Sequence, residues 1–367
     1  MTDPLPLAQA LLRCRSVTAD PAGDGGAQDV LAAALAAQGF SVTRLPFGTT
    51  PNLFARRGLG GPHVCFAGHT DVVPAGANWQ HDPFGGAVAD GTLYGRGACD
   101  MKGAIAAFAA AADGPTPGWG SVSLLITGDE EGVATDGTVR VLEWMAAHDH
   151  IPDACLVGEP TNPGALGEMI KIGRRGSLNA TVTVHGTQGH AAYPQRADNP
   201  VHRLVRGLAA LIAAPLDAGS AWFEPSSLQV TSVDVGNGAT NVIPASATAR
   251  LNIRFNDLHT GAALERWLHA ALAPHAPRLT IDVTISGESF LTAPGAWTAR
   301  LAGAVQEVTG MVPRLDTGGG TSDARFIARY CPVAEFGLVG RTMHQADEGV
   351  PVAELRQLAA IYAQVLA

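Results

Sequence analysis

Four short segments of the sequence place histidine or carboxylate side chains after an apolar run or a glycine-rich stretch. They are HVCFAGHTD, ending in His69 and Asp71; LYGRGACDMKG, containing Asp100; SVSLLITGDEE, ending in Glu130 and Glu131; and ACLVGEPT, containing Glu159. In open α/β sheets, ligands bind beyond the carboxyl ends of the strands. Imidazole nitrogens and carboxylate oxygens without paired thiols suit zinc, manganese or cobalt in a catalytic site. The four segments together predict one metal site.

The chemistry expected of such a site is hydrolysis of an amide, an ester or a phosphate. Zinc with an open coordination position lowers the pKa of a bound water to about 7, and a second metal helps to stabilise the developing oxyanion. A carboxylate beside the water must take and return its proton. Neighbouring side chains in extended backbone point to opposite sides, so Glu130 and Glu131 are expected to divide the tasks of ligand and base.

Other glycine-rich motifs in the chain do not predict a different chemistry. GRGACDMKG matches neither GxGxxG nor GxxxxGK[ST], which argues against nucleotide binding. GGGTSD contains Ser322 but is not GxSxG, and its glycines are expected to let the backbone approach a ligand closely. We interpret His81, Cys99 and His202 as packing or surface residues.

The elements that must position these residues alternate along the first half of the chain. Ala- and Leu-rich helical stretches such as VLAAALAAQGF and AIAAFAAAA precede the short apolar runs HVCFAG and SVSLLIT. This alternation predicts an α/β domain with a partly parallel sheet. Residues 1–175 and 290–367 are expected to form this catalytic, zinc-binding domain.

The central part of the chain has a different order of elements. From SLNATVTVHG to RLTIDVTISG we predict strand, helix, two strands, helix and strand, which is the βαββαβ order of a ferredoxin-like α+β sandwich. In ATARLNIRFN the apolar side chains alternate with polar ones, which is typical of a strand with one buried face. Residues 176–289 are therefore expected to form a second domain, inserted into the first.

Composition limits the partners. The 367 residues carry a formal net charge of -9, which argues against nucleic acid or acidic lipid as a partner and leaves small molecules or a second copy. Five cysteines without CxxC spacing indicate a reducing compartment. The amino-terminal residues lack the pattern of a secretory signal, and the longest apolar run is too short to span a bilayer. We therefore expect a cytoplasmic protein.

The motifs carry a family resemblance over essentially the whole chain. GHTDVVPAG, LYGRGACDMKG, TGDEEG and VGEPT resemble those of the dinuclear zinc deacylases and peptidases of the aminoacylase clan. KIGRRGS, QGHAAYP and GGTSDARF resemble the bacterial branch of that clan that acts on succinylated diaminopimelate. The resemblance implies two Zn²⁺ per subunit, which Co²⁺ or Mn²⁺ could replace.

The resemblance also implies a role for each residue of the metal site. His69 and Glu159 would hold one zinc, Glu131 and His344 would hold the other, and Asp100 would bridge them. Glu130 would be the general base, and Asp71 would orient His69. Asp129 would have no direct part beyond shaping its turn, and Cys99, beside Asp100, is expected to make the site sensitive to oxidation.

For the central domain, the resemblance implies homodimer formation and substrate binding. His190 would reach the active site of the partner subunit and donate to the oxyanion of the tetrahedral intermediate. The residues implied to contact substrate are Arg174, Ser177, Tyr193, Asn241, Arg254, Gly320 and Thr321.

The implied reaction is hydrolysis of N-succinyl-L,L-2,6-diaminopimelate to succinate and L,L-diaminopimelate, a step towards lysine and cell-wall precursors. Arginine suits this substrate because its planar guanidinium can bind a carboxylate with two hydrogen bonds, and the substrate has three carboxylates. Two alternatives remain open: deacylation of acetylornithine or another N-acyl amino acid by an enzyme of the same clan, and a non-catalytic protein that binds a metal or ligand.

Overall fold

A computed structural model describes residues 2–18, 20, 23–213 and 215–367. The chain forms two compact units. Unit 1 comprises Met1–Ile172, Thr292–Asp316 and Ser322–Ala367, and unit 2 comprises Gly173–Leu291 and Thr317–Thr321. No helix in the described part of the chain is both long and apolar enough to cross a membrane.

Unit 1 contains most of the helices and strands. Its helices are α1 (Leu5–Leu12), α2 (Ala27–Ala37), α3 (Lys102–Ala112), α4 (Thr138–Ala147), α7 (Ala296–Thr309), α8 (Ala324–Ile327) and α9 (Val352–Leu366). Its strands are β1 (Ser41–Arg44), β2 (Leu53–Arg57), β3 (His63–His69), β4 (Ala87–Ala89), β5 (Thr92–Tyr94), β6 (Ser121–Thr127), β7 (Ala154–Val157), β8 (Met169–Lys171), β17 (Arg314–Asp316), β18 (Val333–Glu335) and β19 (Gly349–Pro351).

The main sheet of unit 1 is mixed, which confirms the predicted partly parallel α/β architecture. Its eight strands lie in the order β1-β2-β6-β3-β7-β18-β8-β17. Strand β3 is parallel to β6 on one side and to β7 on the other. All residues of β3 and β6 are buried, as expected for central strands covered on both faces.

Helix α3 forms much of the core of unit 1. All eleven of its residues are buried, as expected for a helix that is apolar on every side. Phe108 of this helix stacks on Phe66 of β3, with 4.4 Å between ring centroids, and Tyr362 of α9 meets both rings edge-on. The alanines of α3 allow this close approach because they carry no side chain beyond Cβ. The carboxyl end of β3 is therefore fixed by packing.

Unit 2 contains the remaining elements. These are β9 (Gly173–Arg174), β10 (Gly176–His185), β11 (Gly189–His190), α5 (Pro200–Ala213), β12 (Ser227–Asp234), β13 (Val242–Ile243), β14 (Ser246–Phe255), α6 (Gly261–Leu272), β15 (Leu279–Gly287) and β16 (Phe290–Leu291).

The main sheet of unit 2 is antiparallel, with the strand order β12-β14-β10-β15. Its core consists of one face of this sheet together with apolar residues of α5 and α6. Along β14 the alternating residues Ala247, Ala249, Leu251, Ile253 and Phe255 are buried. The polar residues between them lie on the opposite face, as the alternation predicts.

A buried histidine at the start of β3 is expected to make unit 1 less stable in acid. His63 is 5% exposed, its Nε2 lies 2.7 Å from Ser123 Oγ, and burial, aided by the charge of Arg56, lowers its pKa to about 4. Because the folded-state pKa lies below the unfolded one, the unfolded chain binds the proton first as the pH falls. This stabilising contribution is complete above about pH 6.5 and is lost towards pH 4, by up to about 3 kcal/mol.

The matched experiment compares wild type with His63→Gln, which cannot take up that proton. The midpoint of urea unfolding is measured at pH 7 and at pH 4.5. Its decrease from pH 7 to pH 4.5 is expected to be smaller for the variant than for wild type. An equal fall in both proteins would show that His63 does not cause the acid sensitivity.

Candidate metal centre

The register of the main sheet in unit 1 brings three of the predicted residues to one edge. His69, the last residue of β3, lies beside Thr127, the last residue of the parallel strand β6. On its other side, Ala67 pairs with Val157 of β7, two residues before Glu159. The turn that holds Glu130 and the segment that holds Glu159 therefore both begin next to His69. This is the carboxyl edge at which the sequence predicted a site.

Asp100 lies between the two histidines. Its Oδ1 is 3.2 Å from His69 Nε2, and its Oδ2 is 3.2 Å from His344 Nε2. Glu159 Oε1 lies 3.7 Å from the same nitrogen of His69, and Glu131 Oε1 lies 2.9 Å from the same nitrogen of His344. The structure therefore gathers all five predicted ligands, with one Asp100 oxygen facing each imidazole.

These side chains form two overlapping groups that could each hold a metal ion. His69, Asp100 and Glu131 form one group, and His69, Glu130 and Glu159 form the other, with the potential ligand atoms of each group within 4.8 Å of one another. His69 Nδ1 lies 2.9 Å from the backbone carbonyl of Asp71, which can only accept, so Nδ1 donates and Nε2 faces the cluster.

The electrostatics of the cluster favour bound cations. Burial raises the pKa of Glu159 well above its ordinary range, and the charges of Asp100 and Glu130 add to the effect. The hydrogen bonds to Asp100 and Glu131 raise the pKa of His344 to about 10. Within the described part of the chain, no lysine or arginine forms an ion pair with these carboxylates. The residues present therefore fit a pair of divalent cations.

The acidic triplet Asp129–Glu131 adopts a different backbone from the one expected. Strand β6 ends at Thr127, and the Gly132 N–H donates to the Asp129 carbonyl at 3.1 Å, so the triplet lies in a turn. Glu130 and Glu131 therefore do not alternate along an extended strand, and the prediction from strand alternation was wrong. The turn still separates the two glutamates, because Glu131 contacts His344 whereas Glu130 belongs to the group of His69 and Glu159.

Asp129 shapes this turn through its buried side chain. Its Oδ1 accepts from the Thr127 hydroxyl at 3.1 Å and its Oδ2 from the Asp136 N–H at 3.0 Å. A Cβ atom on Gly137 would lie only 1.8 Å from Asp129 Oδ1, so glycine is required there for space. The expectation that Asp129 acts on the turn alone agrees with these contacts.

The Asp71 carboxylate holds the backbone of both glutamates. Its Oδ1 accepts from the Glu130 N–H at 3.2 Å, and its Oδ2 accepts from the Glu131 N–H at 3.1 Å and the Thr18 hydroxyl at 2.7 Å. The same Oδ1 lies 3.6 Å from His69 Nδ1, whose hydrogen bond goes to the Asp71 carbonyl. Asp71 therefore orients His69 through its backbone and the acidic turn through its side chain.

Burial also affects the remaining acid of the cluster. It raises the pKa of Glu130 to about 8; the His69 charge opposes this, while Asp323, Glu131 and Asp100 add to it. Bound cations would lower this pKa again, towards the neutral range in which a carboxyl group can both accept and return a proton.

Comparison with known proteins agrees with this geometry. The model of peptidase family M20/M25/M40 matches residues 65–367. The chain belongs to this family. In structure, the M20 family metallo-carboxypeptidase of Sulfolobus solfataricus is similar, with a TM-score of 0.78 and 16% identity over 100% of this chain and 99% of that one. A dinuclear metal-binding M20 peptidase of Bacillus subtilis has a TM-score of 0.73 and 15% identity over 99% and 96%.

Two curated relatives of this M20/M25/M40 chain are much more similar in sequence. The succinyl-diaminopimelate desuccinylase of Gluconacetobacter diazotrophicus is 64% identical, over 100% of this chain and 96% of that protein. The protein of the same name from Acidiphilium cryptum is 63% identical, over 99% and 98%. The similarity therefore extends over nearly the whole length of both relatives.

The expected oxyanion donor His190 and two of the residues expected to contact substrate, Tyr193 and Asn241, lie together in unit 2 of the M20/M25/M40 chain. His190 is exposed, and its Nδ1 accepts from the Ala192 N–H at 3.1 Å. Its ring meets that of Tyr193 edge-on, with centroids 5.6 Å apart. The Asn241 carbonyl accepts from the Ala191 N–H at 2.8 Å, which joins the segments that carry β11 and β13.

The other residues of this set form two further contacts within unit 2. Arg174 Nη1 lies 3.3 Å from the Gly320 carbonyl and 3.4 Å from the Gly318 carbonyl, and a Cβ on Gly319 would lie 2.7 Å from it. The missing side chain of Gly319 therefore leaves room for Arg174. Gly318, Gly319 and Gly320 belong to the segment Thr317–Thr321 of unit 2, and Thr321 is its last residue.

Arg254 of β14 pairs in register with Ser177 of β10. Burial lowers the pKa of Arg254, and the neighbouring charge of Arg175 adds to the effect. The Arg254 guanidinium is therefore partly buried close to a second cation.

The sequence did not point to two residues that lie beside the candidate metal centre, Arg96 and Glu348. Glu348 is fully buried and accepts hydrogen bonds from the backbone of the Asp100 segment, and Arg96 forms an ion pair with it. The only signal for Arg96 was an arginine between two glycines in YGRGACD.

The expected oxidation sensitivity of Cys99 is not supported, because this thiol is 0% exposed and burial, with the Glu348 charge, raises its pKa well above normal.

Proposed function

We propose that this chain is a metal-dependent amidohydrolase that cleaves N-succinyl-L,L-2,6-diaminopimelate to succinate and L,L-2,6-diaminopimelate. The full-length identity to two proteins named for this reaction supports the substrate. The observation that carries the chemistry is the position of Asp100, with one carboxylate oxygen against each imidazole of a buried acidic cluster. The reaction contributes to lysine and diaminopimelate biosynthesis, and we assign it to the cytoplasm.

Two Zn²⁺ ions per subunit are the proposed cofactors, and Co²⁺ or Mn²⁺ could replace them. His69 and Glu159 would hold one ion, Glu131 and His344 the other, with Asp100 shared. When bound, such ions polarise the amide carbonyl and lower the pKa of water. The contacts of Asp100 support this assignment, because each of its oxygens already faces one imidazole.

Glu130 is the proposed proton carrier. It takes the proton of the attacking water and delivers it to the amine that leaves when the amide bond breaks. Its buried position supports this role, since burial raises its pKa to about 8, near the range in which a carboxyl group can both accept and return a proton at neutral pH. Asp71 supports Glu130 indirectly, by holding the backbone N–H groups of Glu130 and Glu131.

Unit 2 is proposed to bind substrate and to form the homodimer. His190 would donate to the oxyanion in the active site of the partner subunit. The residues proposed to contact substrate are Arg174, Ser177, Tyr193, Asn241, Arg254, Gly320 and Thr321. The clustering of His190, Tyr193 and Asn241 on one exposed ribbon supports a shared role.

A two-substrate assay tests the proposed reaction. We expect kcat/KM for N-succinyl-L,L-diaminopimelate to exceed that for N-acetylornithine by on the order of 100-fold or more, because a site built to bind the succinyl carboxylate rejects an acyl group without one. Equal or better use of the acetyl substrate would assign the chain to acetylornithine deacetylase or a general aminoacylase. If the metal-loaded protein hydrolyses no N-acyl amino acid, the chain is a non-catalytic protein that binds a metal or ligand.

A further inference from the structure

Among the described ion pairs near the metal centre, the one between Arg96 and Glu348 is the most deeply buried. Arg96 Nη1 lies 2.8 Å from Glu348 Oε2, and the two side chains are 2% and 0% exposed. Removing two charges from water costs several kcal/mol per ion, and their mutual attraction often does no more than offset this cost. A buried pair of this kind is therefore weak evidence for stability alone, and its other contacts indicate what it does.

Glu348 holds the backbone of the segment that carries Asp100. Its Oε1 accepts from the Cys99 N–H at 2.9 Å and the Asp100 N–H at 3.2 Å, and the Cys99 thiol donates to the same oxygen at 3.2 Å. Its Oε2 accepts from the Gly97 N–H at 3.1 Å in addition to Arg96. Both carboxylate oxygens are thus used to hold one loop.

Arg96 extends the same network to two other loops. Its Nη2 lies 3.1 Å from the Ala75 carbonyl, and 3.5 Å, at the limit of a hydrogen bond, from the His344 carbonyl. Its guanidinium also lies over the Trp79 ring, 5.1 Å from the centroid. One ion pair therefore connects the loop of Asp100, the loop of His344 and the loop that follows Asp71.

The five proposed ligands differ in what holds them, and Glu131 lies in the turn that Asp71 holds. His69 ends the central strand β3, and Glu159 follows its neighbour β7 by two residues, so the sheet fixes both. Asp100 and His344 lie in segments without strand or helix, and His344 has a positive φ of 62° and a side chain that is 43% exposed. These two loop residues need another support, and the Arg96–Glu348 network contacts the backbone of both.

We propose that the Arg96–Glu348 ion pair is a positioning device for the metal position on the His344 side. It sets the distance between the Asp100 and His344 loops and thereby raises the affinity for the second ion. The inference rests on the proposed dinuclear function, which the experiment below tests separately. Residues that hold metal ligands in place typically change metal affinity by about 10- to 100-fold when they are replaced.

The test uses Glu348→Gln, which keeps the shape of the side chain and removes its charge. An amide NH₂ group would then face either the N–H groups of Cys99 and Asp100 or the Arg96 guanidinium. Metal-free wild type and variant are titrated with Co²⁺, and visible absorption reports the coordination of each equivalent. We expect two equivalents in wild type, and in the variant a second equivalent bound about 10- to 100-fold more weakly, with activity restored by excess metal.

Asp217→Asn is the matched control. Asp217, in unit 2, also organises a loop by accepting several hydrogen bonds, from the N–H groups of Gly219 and Ser226 and the side chains of Asn256 and His259. Its loop carries no proposed metal ligand. This variant is expected to lower the unfolding temperature and leave both Co²⁺ equivalents unchanged.

The outcomes separate the two proposals. Wild type that binds fewer than two equivalents contradicts the dinuclear function. Wild type with two equivalents and Glu348→Gln with the same two affinities and the same spectrum overturns the positioning role alone. If Glu348→Gln does not fold, Arg96→Lys replaces it, since lysine keeps the charge but lacks the second nitrogen that reaches Ala75 and His344. Unchanged Co²⁺ binding by Arg96→Lys would also overturn the role.

Discussion

Replacing Glu130 by glutamine is expected to lower turnover of the succinylated substrate by about 100- to 10,000-fold, the range attributed to a lost general acid–base group. Metal content should stay at the wild-type value. Glutamine keeps the size of the side chain but cannot accept a proton, and Glu130 is proposed as a base. The measurements are kcat at saturating substrate and metal content per chain after removal of free metal.

The metal analysis is essential because the structure leaves Glu130 close enough to be a ligand. It belongs to one of the two candidate metal groups, with His69 and Glu159. Glu131→Gln is the matched control, since Glu131 contacts His344 and is proposed as a ligand. This neighbour should lose metal together with activity. Loss of metal by Glu130→Gln would contradict the division of labour between the two glutamates.

His190→Ala is expected to lower kcat by about 100- to 1,000-fold, the usual effect of removing one oxyanion donor. The proposed dimer should persist, because within the described part of the chain the His190 side chain accepts a hydrogen bond only from the Ala192 N–H, two residues along. Steady-state kinetics measure the loss, and light scattering measures the mass. An unchanged rate would remove His190 from the mechanism.

Complementation shows whether His190 acts on the partner subunit. In a mixed dimer of Glu130→Gln and His190→Ala, the subunit with an intact Glu130 receives His190 from the other subunit. After subunit exchange, an equal mixture of the two inactive proteins should regain about a quarter of wild-type activity, since half of the dimers are mixed and each has one complete site.

The control for this mixture pairs Glu130→Gln with the double variant Glu130→Gln/His190→Ala. No combination of these two proteins restores a complete site, so the activity should stay at the level of the variants. A mixture of the single variants that gains no activity although mixed dimers form would place His190 in its own subunit's site.

Much of the fold followed from local patterns in the sequence. The apolar runs HVCFAG and SVSLLIT form β3 and β6, and AIAAFAAAA lies within the buried helix α3. These elements could be predicted because burial on one or both faces leaves a short-range period in the side chains. The residue types of the candidate ligands could also be predicted from the sequence, since histidine and acidic residues that follow apolar runs indicate the carboxyl edge of a sheet.

The acidic triplet marks where local reasoning failed. Its three residues do lie at the end of a strand, but in a turn whose path is set by partners far along the chain. The Asp71 carboxylate holds Glu130 and Glu131 from about sixty positions away, and Asp129 is tied to Asp136. Which glutamate faces which histidine therefore depends on these contacts and not on alternation along the backbone.

By itself, the sequence determined the mixed α/β architecture and the residue types of a hydrolytic metal site. Only the tertiary structure decided that Asp100 lies between two imidazoles and that Arg96 and Glu348 hold the loops around it. The physical reason is distance along the chain: Arg96 and Glu348 are 252 positions apart. A buried ion pair between two loops has no periodic pattern, so its partners become visible only when the strands bring the loops to one edge.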